Sequence, residues 1–264
     1  MMKPIVVRTI PTKCYHINDD REFKYPLRID WGDGIITLVT NTSQIKHKFK
    51  KEEEQVIIFY MNDNDIFKFT DDIKLKTIEG QLPYSGDVDL TRYFRGCENL
   101  EHVDDNFFIN NVHHTNISFM CEDCYRLKSI KFILQLKNVE VANYLFRGCL
   151  SIIDYDILSE WGEHIKEFDG ALSNNIYMVE PSEDILHSMV NLVSAKYLFY
   201  GNENITSLYR AFFMDNIKLK HIDYAFVGCR IKNNIDPNWL YYLPNSIETD
   251  RKLIFDENVK LNGM

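Results

Sequence analysis

A large apolar or thiol residue recurs at Phe69, Phe94, Cys121, Phe146, Leu172, Phe199 and Phe226, at intervals of 25, 27, 25, 26, 27 and 27 residues. With each of these positions numbered zero, the neighbours recur as well. Position −1 holds Tyr93, Met120, Leu145, Ala171, Leu198 and Ala225, and position −4 holds Leu90, Ile117, Ala142, Phe168, Ala195 and Ile222. Position +6 holds Leu75, Leu100, Leu127, Ile152, Met178 and Ile205. A fixed period of this length predicts a solenoid, whose successive coils share one continuous core. Such folds more often present a surface than enclose a reaction.

The apolar positions −4, −1, 0 and +3 follow helical spacing, which predicts one buried stripe on a short helical turn. Gly96, Gly148, Gly201 and Gly228 stand at +2, where such a turn would end. The pairs Leu100/Val103, Leu127/Ile130 and Ile205/Leu208 at +6 and +9 predict a short strand whose intervening residues face solvent. A second apolar pair follows in each coil: Phe107/Phe108, Phe132/Ile133, Ile157/Leu158, Ile185/Leu186, Phe212/Phe213 and Trp239/Leu240. The expected fold is a repeat solenoid over 61–240, of about seven coils, each a short helical turn plus a short strand. The coil at Phe69 is degenerate and the last has Lys232 at +6, as expected of end coils. Residues 241–264 are read as a C-terminal cap.

The first sixty residues do not share the repeat. Leu27-Arg28-Ile29-Asp30 alternates like a strand and leads into Trp31-Gly32-Asp33-Gly34 and the β-branched run Ile35 to Thr40. Gly and Asp accept positive φ, so this reads as a hairpin. His47-Lys48-Phe49 and Gln55 to Tyr60 supply further strand. A small β-sandwich-like domain is expected over 1–60.

These residues also carry family resemblances. Tyr144-Leu145-Phe146-Arg147-Gly148-Cys149, Tyr224-Ala225-Phe226-Val227-Gly228-Cys229 and Phe94-Arg95-Gly96-Cys97-Glu98-Asn99-Leu100 resemble the BspA-type leucine-rich repeat, in the variant common in mycoplasma and Bacteroides surface proteins. The chain departs from that pattern at Arg92, at Cys121, at Leu172 to Asn175, and at Asn202, which stands where Cys is usual. The string Ile29-Asp30-Trp31-Gly32-Asp33-Gly34 with His47-x-Phe49 is similar to PKD-like β-sandwich domains, in which such a turn precedes a His-x-Tyr. Domains of that kind often precede these repeats in surface and phage-encoded proteins. The resemblance implies adhesion and protein binding rather than catalysis.

The net charge of −9 and the lack of a basic stripe argue against a nucleic-acid partner. No run approaches the ~20 apolar residues of a membrane span. The N-terminus has too short an apolar stretch for a secretion signal, so the expected location is cytoplasmic or virion-associated unless a leader is removed.

Cys121-Glu122-Asp123-Cys124 is a lone Cys-x-x-Cys, and Cys124 shares position +3 with Cys97, Cys149 and Cys229. An interior row of thiols is expected rather than a metal or redox site. His113-His114, and His102 with Asp104-Asp105, are read as structural, and Asp63-x-Asp65 lacks the rest of a calcium loop. No phosphate loop, nucleophile elbow or zinc-protease helix is present. Neither catalytic residues, nor a cofactor, nor a metal is therefore expected.

Two surfaces remain as candidates. Position −2 carries Phe119, Tyr144, Tyr197 and Tyr224, with Arg95 and Arg147 beside them at +1; Tyr and Arg dominate binding hot spots. The alternative, on the strand side, is Glu101, His102, Lys128, Ser129, Thr206 and Ser207. The expected function is non-enzymatic recognition of another protein or a surface glycan. A structural or accessory part of a phage or viral particle is the alternative, with assembly in a larger particle. A thiol- or metal-dependent enzyme is a distant third.

Overall fold

The computed structural model describes residues 4–17, 19, 21–63, 66–84, 86, 89–152, 154–209, 211–231, 239–250, 253–256 and 259. Its strands are β1 (Ile5–Thr9), β2 (Thr12–His16), β3 (Glu22–Asp30), β4 (Ile36–Asn41), β5 (Lys46–Glu53), β6 (Val56–Tyr60), β7 (Leu75–Glu79) and β8 (His102–Val103). They form a six-stranded sheet in the order β4-β3-β6-β1-β7-β8 and a two-stranded sheet of β2 and β5. All neighbours are antiparallel except β7 and β8. Tyr15 of the small sheet meets Phe59 of the large one at 6.5 Å between ring centroids, and Trp31 at 6.4 Å, so an aromatic core fills the space between the sheets. This part is a small β-sandwich-like unit.

The hairpin at Trp31 to Ile35 follows from its residues. Gly32 and Gly34 both have positive φ, and a Cβ on Gly32 would lie 2.3 Å from the Val56 carbonyl oxygen. Asp33 Oδ1 accepts the Ile35 N–H, and its Oδ2 lies 2.8 Å from His47 Nε2. The His47 ring stacks on Trp31 at 4.7 Å. Desolvation pulls the Asp33 carboxyl up, but the His47 and Ile35 hydrogen bonds outweigh it and hold the group below the usual carboxylate range.

The solenoid of helical turns is not what the chain forms. Among the described residues there is no α-helix, and the regular secondary structure is the pair of sheets above. Among the described residues the helical pieces are short 3-10 segments at Thr42–Gln44, Lys131–Gln135, Asp156–Glu160 and Trp239–Tyr242. Three of these hold the later apolar pairs, not the zero positions. Among the described residues the strand expected at +6 to +9 is found as β7 and β8, whereas 127–130 and 205–208 are irregular.

The physical reason lies in the sign of φ. Position −2 is left-handed at Arg92, Phe119, Tyr144, Gly170, Tyr197 and Tyr224, and position +2 at Asp71, Gly96, Asp123, Gly148, Asn174, Gly201 and Gly228. A right-handed helix cannot pass through either position. The backbone instead makes successive four-residue turns. Met120 N–H donates to Ile117 O, and Cys124 N–H to Cys121 O. Positive φ at the third residue of each makes these type II turns, which prefer Gly there. The +2 glycines are thus turn residues, not helix ends. Turns and helices share the three-residue spacing of −4/−1 and 0/+3, which is why the pattern misleads.

The alternate N–H groups leave the repeat altogether. Ile117, Phe119, Cys121 and Asp123 donate to the carbonyls of Val141, Asn143, Leu145 and Arg147 in the next repeat. The same four bonds recur from 142–148 onto 167–173, and from 168–174 onto 194–200. Parallel bridges run Asn116–Val141–Glu167–Ser194–His221 along this line. Every zero-position side chain is buried.

Position +3 completes the scheme. The thiols of Cys97, Cys124, Cys149 and Cys229 donate to the zero-position carbonyls of Phe69, Phe94, Cys121 and Phe199 in the preceding repeat. Asn175 and Asn202 do the same to Phe146 and Leu172 through Nδ2. Asn therefore stands for Cys because both donate from a small buried side chain. In the first repeat the residue at +3 is Asp72, an acceptor, which takes the Tyr15 hydroxyl at 2.5 Å from the β-sandwich-like unit.

Candidate interaction surfaces

The left-handed conformation at −2 swings each of these side chains away from the core, and all four aromatic rings are half-buried. Phe119 and Tyr144 stack at 5.1 Å with 11° between planes, and Tyr197 and Tyr224 stack at 5.1 Å with 16°. Between the two pairs stands Gly170, at −2 of the Leu172 repeat. A Cβ there would lie 2.4 Å from the Tyr144 ring, so the glycine makes room for that ring and breaks the row.

Arginines close both edges of the first pair. The Arg92 guanidinium lies 5.2 Å from the Phe119 ring centroid and that of Arg147 5.9 Å from Tyr144. Arg147 Nη1 also meets Glu122 Oε1 at 3.0 Å, while Arg95 Nε meets Glu122 Oε2 at 2.8 Å. Arg95, Glu122 and Arg147 all occupy +1. The two arginines are thus anchored by a buried carboxylate rather than free to sweep the surface, and hydrogen bonding to Glu122 raises Arg95 further. Preorganised arginines lose less entropy on binding. Arg92 and Glu122 were missed by sequence reasoning; alignment of +1 through the repeat would have revealed Glu122.

The alternative surface is polar and locally paired. Lys128 Nζ lies 2.5 Å from Glu101 Oε2, and this bond holds the Glu101 carboxyl below its usual range. Ser207 Oγ donates to Glu180 at 2.7 Å. His102, Lys128 and Thr206 are exposed; Glu101, Ser129 and Ser207 are half-buried. The structure does not join these residues to the aromatic row, which occupies a different part of the repeat.

The thiols have a structural task. All six cysteines are free, and only Cys14 is exposed. Burial pushes the Cys97, Cys121 and Cys149 thiols well up, and that of Cys229 to about 12. A protonated, buried thiol is a hydrogen-bond donor and a poor nucleophile. Among the described residues no group of three or more His, Cys, Asp or Glu side chains is arranged to hold a metal ion. His113 and His114 pack against one another, and Asp104 Oδ2 accepts the Gly80 N–H. Asp63 accepts the Tyr84 N–H, while Asp65 lies outside the described residues. Among the described residues no helix is long and apolar enough to cross a membrane. No family model matches the chain, and no curated protein matches it.

Proposed function

We propose that the chain is a non-enzymatic recognition module that binds another protein through the aromatic and arginine row at positions −2 and +1. The observation that carries this reading is the half-exposed Arg92–Phe119–Tyr144–Arg147 stack, fixed from behind by Glu122. Stacked rings lose little side-chain entropy on binding and offer area with polar edges. The Tyr197–Tyr224 pair extends the same row beyond Gly170.

The test is a pull-down with the intact protein, followed by titration of the captured partner against Tyr197→Ala and Tyr144→Ala. Each substitution should weaken binding by ~1–3 kcal/mol, the range of hot-spot truncations, with melting unchanged. Unaltered affinity in both, together with loss on His102→Ala or Lys128→Ala, would assign binding to the other surface. Capture of a polysaccharide in place of a protein would replace the protein partner by a glycan.

A further inference from the structure

Positions +5 to +10 of two successive repeats leave a cleft of about 530 Å³, lined by Asp154, Asp156, Tyr177, Val179 and Glu180 over a floor that includes Tyr155. A shallower recess of about 370 Å³ shares Glu180 and Pro181 with it and adds Glu183, Ser207 and Tyr209. Together their lining residues come from three successive repeats. None of the -2 and +1 row residues is among them.

Two properties single out this groove. Three of its side chains are open to solvent over a buried apolar floor: Tyr177 is 65% exposed, Val179 60% and Tyr209 47%. The charged side chains described in its lining are all acidic. Asp154, Asp156, Glu180 and Glu183 line it; among the described residues no Lys, Arg or His does, and none of these four carboxylates is in an ion pair. Several acids elsewhere on the repeats do meet a cation, as Glu101 does Lys128, Glu140 Lys166 and Glu203 Arg230. A concave site with low-dielectric walls and a single sign of charge concentrates ligands of the opposite sign.

We propose that this groove binds a basic, extended segment of a partner protein, with lysine or arginine heads between the carboxylates and over the Tyr177 ring. An open tyrosine face attracts cations, and the effect adds to the carboxylate field. An extended chain advances about 3.3 Å per residue, so adjacent basic side chains two residues apart can reach carboxylates on neighbouring repeats. A neutral sugar would use the rings and gain little from four unmatched acids. The proposal rests on the reading of the chain as a recognition module, but on a part of the repeat that the tyrosine row does not use.

The test is fluorescence anisotropy of a fluorescein-labelled peptide of alternating lysine and alanine, titrated with the full chain. Asp154→Asn/Asp156→Asn/Glu180→Gln is compared with Glu53→Gln/Glu98→Gln/Asp105→Asn, which removes the same charge elsewhere. The groove variant should bind about tenfold more weakly than the control variant, and Tyr177→Ala severalfold more weakly than wild type. Each protein is first shown to melt as wild type; if the groove triple variant does not, Glu183→Gln with Tyr177→Ala replaces it. Equal weakening by groove and control variants would overturn the proposal, since only net charge would then matter. So would the absence of peptide binding, or binding of a neutral oligosaccharide such as cellohexaose in its stead. Failure here with an intact Tyr197 effect would leave the aromatic-row reading standing; the converse result would leave only the groove.

Discussion

Asn202 donates its Nδ2–H to the carbonyl oxygen of Leu172, thirty residues earlier, at 2.9 Å, in the place where Cys149 and Cys229 put a thiol. Its Oδ1 in turn accepts the Asn175 N–H at 2.8 Å. Asn202→Leu would strand a buried N–H and remove a donor from a buried carbonyl. It should destabilise by ~2–4 kcal/mol, from one orphaned group and one lost bond. Asn202→Cys keeps the donor and should lose less. Urea unfolding of the two variants checks the order.

Gly148 and Asp123 occupy +2 in adjacent repeats, and a Cβ on Gly148 would meet Asp123 Oδ1 at 2.5 Å. Gly148→Ala should therefore destabilise by ~1–3 kcal/mol, from positive φ and the clash together. Asp123→Gly should recover the part due to the clash. A double-mutant cycle in chemical denaturation measures that recovery. Additive effects would show that the contact carries no energy.

Arg95→Ala or Arg147→Ala alone leaves Glu122 with one partner. The double substitution leaves a buried carboxylate with none, and its effect should exceed the sum of the single ones by about 1 kcal/mol or more. Thermal melts of the four proteins suffice.

Burial pushes the Asp72 carboxyl up to about 6, although the Tyr15 hydroxyl and the Lys74 and Leu75 amides oppose the shift. In an unfolded chain the value is about 3.9. The folded protein thus holds the proton more tightly than the unfolded chain. Stability from this group is fully present below about pH 4 and is lost as pH rises through about 6. The change amounts to roughly 3 kcal/mol at ~1.4 kcal/mol per pH unit of separation. Asp72→Asn should flatten the stability profile between these limits, as read by urea midpoints across pH. A wild-type-like slope in the variant would exonerate Asp72.

Phe146 is fully buried at position zero. Phe146→Ala should destabilise by ~3–5 kcal/mol, the range for a buried phenylalanine, and a loss below ~1 kcal/mol would mean that the neighbouring repeats collapse into the gap.

The period, the burial at zero and the N-terminal hairpin were legible because they rest on apolar spacing and on Gly-Asp-Gly. The backbone type was not. Leu90/Tyr93 and Phe94/Cys97 are spaced alike in a helix and in linked turns. The deciding fact, positive φ at Arg92, Phe119 and Tyr144, falls on residues that disfavour it. Bonds to the next repeat hold them there, and such bonds leave no mark within a single repeat. The candidate residues were legible by type, but their support was not. Tyr144 needs Gly170, and Arg147 needs Glu122, each about 25 residues away.

All bonds between repeats at −4, −2, 0 and +2 run one way, from an earlier N–H to a later carbonyl. Each repeat therefore offers the next one the same array that it received. The same pattern continues past Phe226: Tyr224 and Phe226 donate to the carbonyls of Leu253 and Ile254, and Gly228 to the Asp256 carboxylate. A gene of this design can gain or lose a whole central repeat without remaking its ends, whereas a single-codon insertion between −4 and +3 throws every later donor out of step. Length is the trait that such a chain can vary most freely.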